Sequence, residues 1–353
     1  DFLIWLESTG RFPGADDFIP RRLYRDYLRA IRTKLTERFP GQFEQIEGEA
    51  DRLTSAAEIT ISGERRSFDK VVLALGEGAP NPLSLHSPEA SSNTIQDPWA
   101  KGALEKIQSG SQVILVGTGL TAIDVFLSLR ERVQSVVMVS RRGLLPQVHE
   151  KVEPYRHGSE MLPWEAASLS AMLHSIHHHL QRSPSWQCVF EWMRPHYQTM
   201  WQRLSPREQS QLLRHFQPSW NVLRHRMPPT AGALVEDALA GGKLRIVKGA
   251  LQHVLPGGVV LRNGTEISGD YVVNCTGPAL HNSPFIRSLL ADGIAASGPH
   301  GLGLSSRLSG ELLDSSGQIN SRIFLVGGPR KGLLWETTAV PDLRTEAPRV
   351  SVS

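Results

Sequence analysis

The residues best suited to chemistry are three small ones. Gly117, Gly119 and Ala122 lie in the run Val113-Ile-Leu-Val-Gly-Thr-Gly-Leu-Thr-Ala-Ile-Asp-Val125. A glycine at 117 permits a sharp bend, and one at 119 lets backbone come close to a pyrophosphate. Ala122 is small enough for close helix–strand packing. The free N–H groups of a helix opening near Leu120 then face the negative charge. Thr118 sits inside the turn, and Thr121 is placed to cap the helix or to bond a phosphate. Taken alone the spacing also fits a purely structural glycine turn, so the flanking elements must decide.

Those elements favour a dinucleotide site. Residues 113–116 are a short apolar run of the kind that forms a buried parallel strand. Residues 120–130 carry apolar positions at helical spacing, and 136–139 form a second apolar run. Together they predict a βαβ unit with a glycine-rich first turn. An Asp or Glu about twenty residues past the glycines holds the ribose 2′-hydroxyl in NAD sites. This chain has Ser140, Arg141 and Arg142 there. Two guanidiniums suit a 2′-phosphate, which they can bind with paired hydrogen bonds. The spacing therefore predicts NADPH; the alternative is that either arginine is a solvated surface charge.

Other reactive residue types give less. His174, His177 and His178 share one region of a predicted helix at 168–181, but no acidic residue completes a metal-ligand set, and no metal is expected. The two cysteines, Cys188 and Cys275, are far apart, which argues against a disulfide framework, a zinc site or a dithiol reductase. Arg21 and Arg22 stand at the start of a helical pattern, where they oppose the helix dipole; a bound anion or a surface ion pair would offset them. No residue stands out as a general acid or base.

Composition narrows the class. At 353 residues two domains are expected. A net charge of +3, from 38 basic and 35 acidic residues, offers no basic stripe for nucleic acid. No apolar run reaches the length of a membrane span, and no signal segment opens the chain. A cytoplasmic location fits. The chain starts on Asp1, without Met, and enters Phe2-Leu3-Ile4-Trp5 at once, which predicts a fragment.

Along the chain, helices are predicted at 1–8, 23–39, 102–108, 231–240 and 341–347. Strands are predicted at 43–46, 59–61, 71–75, 244–247, 259–261, 271–274 and 323–326, with Asn263-Gly264 a hairpin turn. The strands at 71–75, 271–274 and 323–326 each run into glycines, namely Gly76, Gly277 and Gly327-Gly328. The region at about 150–228 is helical, aromatic and rich in histidine, with Trp164, Trp186, Trp192, Trp201 and Trp220. It reads as an insert.

Five segments carry a resemblance to known proteins: Ile19-Pro-Arg-Arg-Leu-Tyr-Arg-Asp-Tyr-Leu28, Asp97-Pro-Trp99, the 116–124 turn, Ser140-Arg-Arg-Gly-Leu-Leu-Pro146 and Gly332-Leu-Leu-Trp-Glu-Thr-Thr-Ala-Val-Pro341. The chain resembles the two-dinucleotide-binding flavoproteins, and more narrowly the FAD/NAD(P)-binding proteins related to bacterial YdhS. A looser similarity joins it to flavin-dependent N-hydroxylating monooxygenases. The resemblance implies an α/β fold with two Rossmann-like domains. Residues 1–96 would begin the FAD domain, 97–275 would form the NAD(P) domain with its insert, and 276–353 would complete the FAD domain. Such proteins carry their own strand–glycine–helix motif for FAD. None occurs within residues 1–75, so the FAD domain is expected to lack its N-terminal βαβ unit.

The implied activity is hydride transfer from NADPH to FAD, with a monooxygenase acting on an unidentified small molecule as one form. Gly117, Thr118, Gly119, Leu120, Thr121, Arg141 and Arg142 are the expected NADPH residues. Gly277, Gly328, Trp335, Glu336 and Thr337 are assigned to the flavin side by resemblance. The competing reading is a degenerate nucleotide-binding protein acting as a sensor, with the insert as its interaction surface.

Overall fold

A computed structural model describes residues 1–14, 17–76, 78–158 and 161–350. Glu77, in the glycine turn read after residues 71–75, lies outside the described residues, as do Ser351, Val352 and Ser353 of the expected C-terminal FAD-domain piece. The chain divides into two compact units, Asp1–Glu49 and Ala50–Ser353.

The first unit holds two helices, as the apolar spacing predicts: α1 (Phe2–Ser8) and α2 (Arg21–Arg38). Pro20 is the N-cap of α2 without a side-chain cap hydrogen bond, and the first turn holds no acidic residue. The rings of Phe2, Trp5, Tyr24 and Tyr27 cluster, with Phe2 and Tyr24 edge to face at 5.1 Å. The strand expected at 43–46 does not form. Phe43 and Ile46 are exposed, and no neighbouring strand takes up the backbone N–H and C=O groups.

The second unit opens with an antiparallel meander, β1 (Ala50–Leu53), β2 (Glu58–Ile61) and β3 (Glu64–Ser67). Next come β4 (Val71–Leu73), β5 (Thr94–Ile95), β6 (Gln112–Val116), α3 (Leu120–Leu129) and β7 (Ser135–Ser140). The helix expected at 102–108 is only a single turn at Leu104–Lys106. Gly102 and Gly110 bracket it with positive φ, and Ile107 is already extended, so too few residues remain to nucleate a helix.

The insert then supplies α4 (Leu169–Arg182), α5 (Trp186–Met193), α6 (Tyr197–Arg203), α7 (Pro206–His215) and α8 (Gln217–Arg224). The chain returns through α9 (Pro229–Ala240) and β8 (Leu244–Lys248). A second meander follows, β9 (Leu251–Leu255), β10 (Gly258–Leu261) and β11 (Glu266–Ser268), and then β12 (Tyr271–Asn274). The final elements are α10 (Pro284–Ala291), β13 (Glu311–Leu313), β14 (Ile319–Leu325) and α11 (Val340–Glu346).

Two sheets organise these parts. The larger is wholly parallel, in the order β5-β12-β6-β7-β8. From β6 the chain steps to β7 and β8 on one side, while β12 and β5 lie on the other. The order reverses at β6, the position where open α/β sheets bind ligands beyond the carboxyl ends of their strands. Alternation along β6 feeds two cores. Val113 and Leu115 pack with Ala122, Phe126 and Leu129 of α3 and Val235 of α9. Ile114 and Val116 pack on the other face against Val254, Val259 and Ile267 of the second meander. The smaller sheet runs β13-β14-β4, with β14 parallel to β4, and buries Leu73, Ile323 and Leu325 against Ile286 and Leu289 of α10. The insert has its own core around Met172, Val189, Met193 and Tyr197. Among the described residues no helix is long and apolar enough to cross a membrane.

Candidate functional site

The turn between β6 and α3 occupies the reversal point. Gly117 holds φ +124°, and a Cβ there would lie 2.2 Å from the Cys275 carbonyl oxygen at the end of β12. Only glycine fits, because the two strand ends approach backbone to backbone. Gly119 differs. It is the N-cap of α3 with φ −78°, and the space where its Cβ would stand is empty to 4 Å. No side chain caps α3. Geometry leaves the N–H groups of Leu120, Thr121 and Ala122 without intrahelical acceptors, so they form an open anion-binding end.

Thr118 and Thr121 separate in role. The buried Thr118 hydroxyl donates to the Leu144 carbonyl at 2.6 Å and meets the Ser140 hydroxyl at 2.9 Å. Ser140 in turn accepts the Gly143 N–H at 3.0 Å. These bonds tie the turn to the end of β7, so Thr118 contributes position through its side chain. Thr121 is half-buried and does not cap the helix.

Arg141 and Arg142 follow β7 directly and both are exposed. Arg142 reaches the His215 carbonyl at 3.5 Å. Arg141 has no hydrogen bond or ion pair among the described residues. Sequence reasoning missed the buried Asn274 at the end of β12. Its amide donates to the Asn81 carbonyl at 2.8 Å, and its side-chain oxygen accepts from the Thr276 hydroxyl at 2.7 Å, which fixes the β12 end that Gly117 meets. A polar residue inside the apolar run Tyr271-Val-Val-Asn-Cys275 was the available signal. Burial pushes the Cys275 thiol up, so it stays protonated.

The other two glycine turns follow β12 and β14. Gly277 holds φ +89° with open space at its Cβ position. Gly327 holds φ +77° and Gly328 opens a single helical turn after β14. That turn is locked from behind. Arg330 is fully buried and pairs with Glu346 at 2.8 Å, and it also donates to the carbonyls of Arg307 and Leu308. Glu346 accepts the Gly327 N–H at 3.2 Å as well.

Trp335, Glu336 and Thr337 are all buried and turn toward the insert. The Trp335 ring stacks on Trp201 at 4.7 Å, and its backbone N–H donates to Gln198 at 2.9 Å. Glu336 accepts the Trp220 indole N–H at 2.8 Å. Arg224 lies between Glu336 at 4.0 Å and Asp342 at 3.6 Å. Burial raises the Asp342 carboxyl above its ordinary range, against the pull of Arg224. The Thr337 hydroxyl is buried with no hydrogen-bond partner among the described residues. It lines a small polar cavity with Gln217, Asn221, His225 and Lys331.

The histidines of α4 divide by environment. His179 is buried with its Nδ1 at 3.0 Å from the Tyr155 hydroxyl, whereas His174 and His177 are exposed. Among the described residues no group of three or more His, Cys, Asp or Glu is placed to hold a metal ion.

Comparison with known proteins agrees with this architecture. Residues 1–78 match the FAD-NAD(P)-binding family. The ornithine hydroxylase PvdA from Pseudomonas aeruginosa is similar in structure, with 16% identity and a TM-score of 0.61 over 99% of this chain and 80% of that one. The reduced form of the same hydroxylase gives 14% identity and a TM-score of 0.57, again over 99% and 80%. At such identities the likeness speaks for fold. No curated protein matches the chain. The fold shared with that hydroxylase is a mixed α/β chain with a five-stranded parallel sheet, here carrying a helical insert.

Proposed function

We propose that the chain is an FAD-dependent oxidoreductase that takes hydride from NADPH, in the form of a monooxygenase acting on a small molecule. The observation that carries the reading is the open turn at Gly117–Gly119, with α3 lacking a side-chain cap behind it and the exposed Arg141 just past the next strand. When bound, NADPH supplies the hydride and FAD supplies the redox centre.

The chain's own residues bind and orient. The N–H groups of Gly119, Leu120 and Thr121 receive the pyrophosphate, and Gly117 lets β6 and β12 close beneath it. Thr118 holds the turn to β7, and Arg141 and Arg142 take the 2′-phosphate. On the flavin side we assign the backbone turns at Gly277 and Gly328 and the orphaned Thr337 hydroxyl. Trp335 and Glu336, engaged with Trp201 and Trp220, fix where Thr337 stands. The kinship with YdhS-related proteins and with N-hydroxylating monooxygenases belongs to this proposal; the fold match to the ornithine hydroxylase supports it.

The test is a visible absorbance spectrum of the protein supplied with FAD, before and after anaerobic addition of NADPH. A retained flavin band that bleaches is the expected result. Absence of any flavin band after gel filtration would sink the proposal.

A further inference from the structure

The insert holds a partly open cavity of about 190 Å³, lined by residues of α4 to α8 and by Trp335. Met172, Leu180, Met200, Leu212 and Leu223 supply its aliphatic surface. The polar groups on its wall are engaged elsewhere. The Tyr197 hydroxyl donates to the Phe190 carbonyl at 2.8 Å, and the Trp220 indole N–H to Glu336 at 2.8 Å. The Trp201 indole N–H points to the Gly332 carbonyl at 3.4 Å. Ser219 is the exception, and it is exposed. A guest therefore meets no buried hydrogen-bonding group. Polar or charged molecules would lose hydration without compensation.

We infer that this cavity is a binding site for a small uncharged molecule or group built on a single aromatic ring. An engineered apolar cavity of about 150 Å³ stays dry and takes benzene, so the volume here suits a substituted ring. The walls favour an aromatic guest over an aliphatic one. Trp201 and Trp335 stack at 4.7 Å and Trp220 meets Trp335 near edge-on at 6.1 Å, which leaves ring edges and faces to pack against another ring. Entry is available past Leu212, which is half-buried, and the exposed Phe216. The site needs neither flavin nor NADPH, so its fate is separate from the proposed activity.

The probe is toluene, titrated into the 353-residue chain while intrinsic tryptophan fluorescence and Tm are followed. A saturable fluorescence change and a rising Tm are expected, because a ligand that binds only the folded state stabilises it. Leu212→Trp fills the entrance and should weaken toluene about tenfold or more. Should that variant fail to fold, Leu212→Ala widens the entrance and should bind naphthalene more tightly than the parent does. No saturable toluene response overturns the proposal and leaves a packing void. Toluene affinity unchanged by Leu212→Trp, or naphthalene affinity unchanged by Leu212→Ala, overturns it too.

Discussion

Two glycine turns that look alike as sequence behave in opposite ways. The turn after β6 is open. Its Gly119 faces empty space, its helix end is uncapped, and Arg141 beyond it has no partner among the described residues. The turn after β14 is closed from behind. Arg330 and Glu346 grip Gly327, and the side chains of Trp335 and Glu336 are engaged with the insert. A ligand site needs unsatisfied groups facing free volume. The first turn keeps them on the backbone; around the second, the buried atoms without a hydrogen-bond partner among the described residues are the Thr337 hydroxyl, Nε and Nη2 of Arg224 and Oδ2 of Asp342.

Four experiments press on that contrast. The largest effect is expected at the closed turn. Arg330→Ala removes one partner of a fully buried ion pair and leaves Glu346 uncompensated, which costs about 3–5 kcal/mol. Urea unfolding should show it; a loss under about 1 kcal/mol would mean the turn is not held by this pair.

The open turn should respond in affinity instead of stability. Gly119 has an ordinary φ and free space, so Gly119→Val should keep Tm nearly unchanged while NADPH binding falls about a hundredfold. Calorimetric titration would read it, and unchanged affinity would remove the turn from the proposed site. Replacing both Arg141 and Arg142 by Ala should weaken NADPH about tenfold and NADH hardly at all. Equal losses for the two cofactors would end the 2′-phosphate assignment.

The smallest effect is a pH limb from the insert. Burial raises the Glu191 carboxyl, but the charge and hydrogen bond of Arg226, with Arg194 and Arg224 beyond, outweigh it and leave the group below its ordinary 4.5. A depressed carboxylate stabilises the folded state fully above the unfolded value, and that stability is lost as pH falls through the folded one. Tm should therefore fall as pH drops below about 4.5, and Glu191→Gln should flatten part of that slope with NADPH affinity unaltered. An identical acid limb in the variant would show that other carboxylates set it.

Much of the open site was legible in the sequence. The apolar run, the two glycines and the helical spacing fixed β6, α3 and β7 to within a residue or two of where they fall. The pair at Arg141 and Arg142 could be placed at a strand end by counting. The misses share a cause. Residues 43–46 begin and end on apolar side chains, yet a strand exists only if a neighbour accepts its backbone. Residues 102–108 look helical, yet Gly102 and Gly110 leave too short a segment. Pairing and nucleation are properties of context.

The sequence by itself determined the parallel sheet core, the glycine turn at its centre and the presence of a helical insert, because period-two and period-3.6 patterns are local. Only the tertiary structure decided which glycine turn stays open. That choice depends on pairs such as Trp220 with Glu336 and Gln198 with Trp335, separated by 116 and 137 residues. Whether a polar group is satisfied is settled by what folds against it, and no local pattern in the chain carries that information.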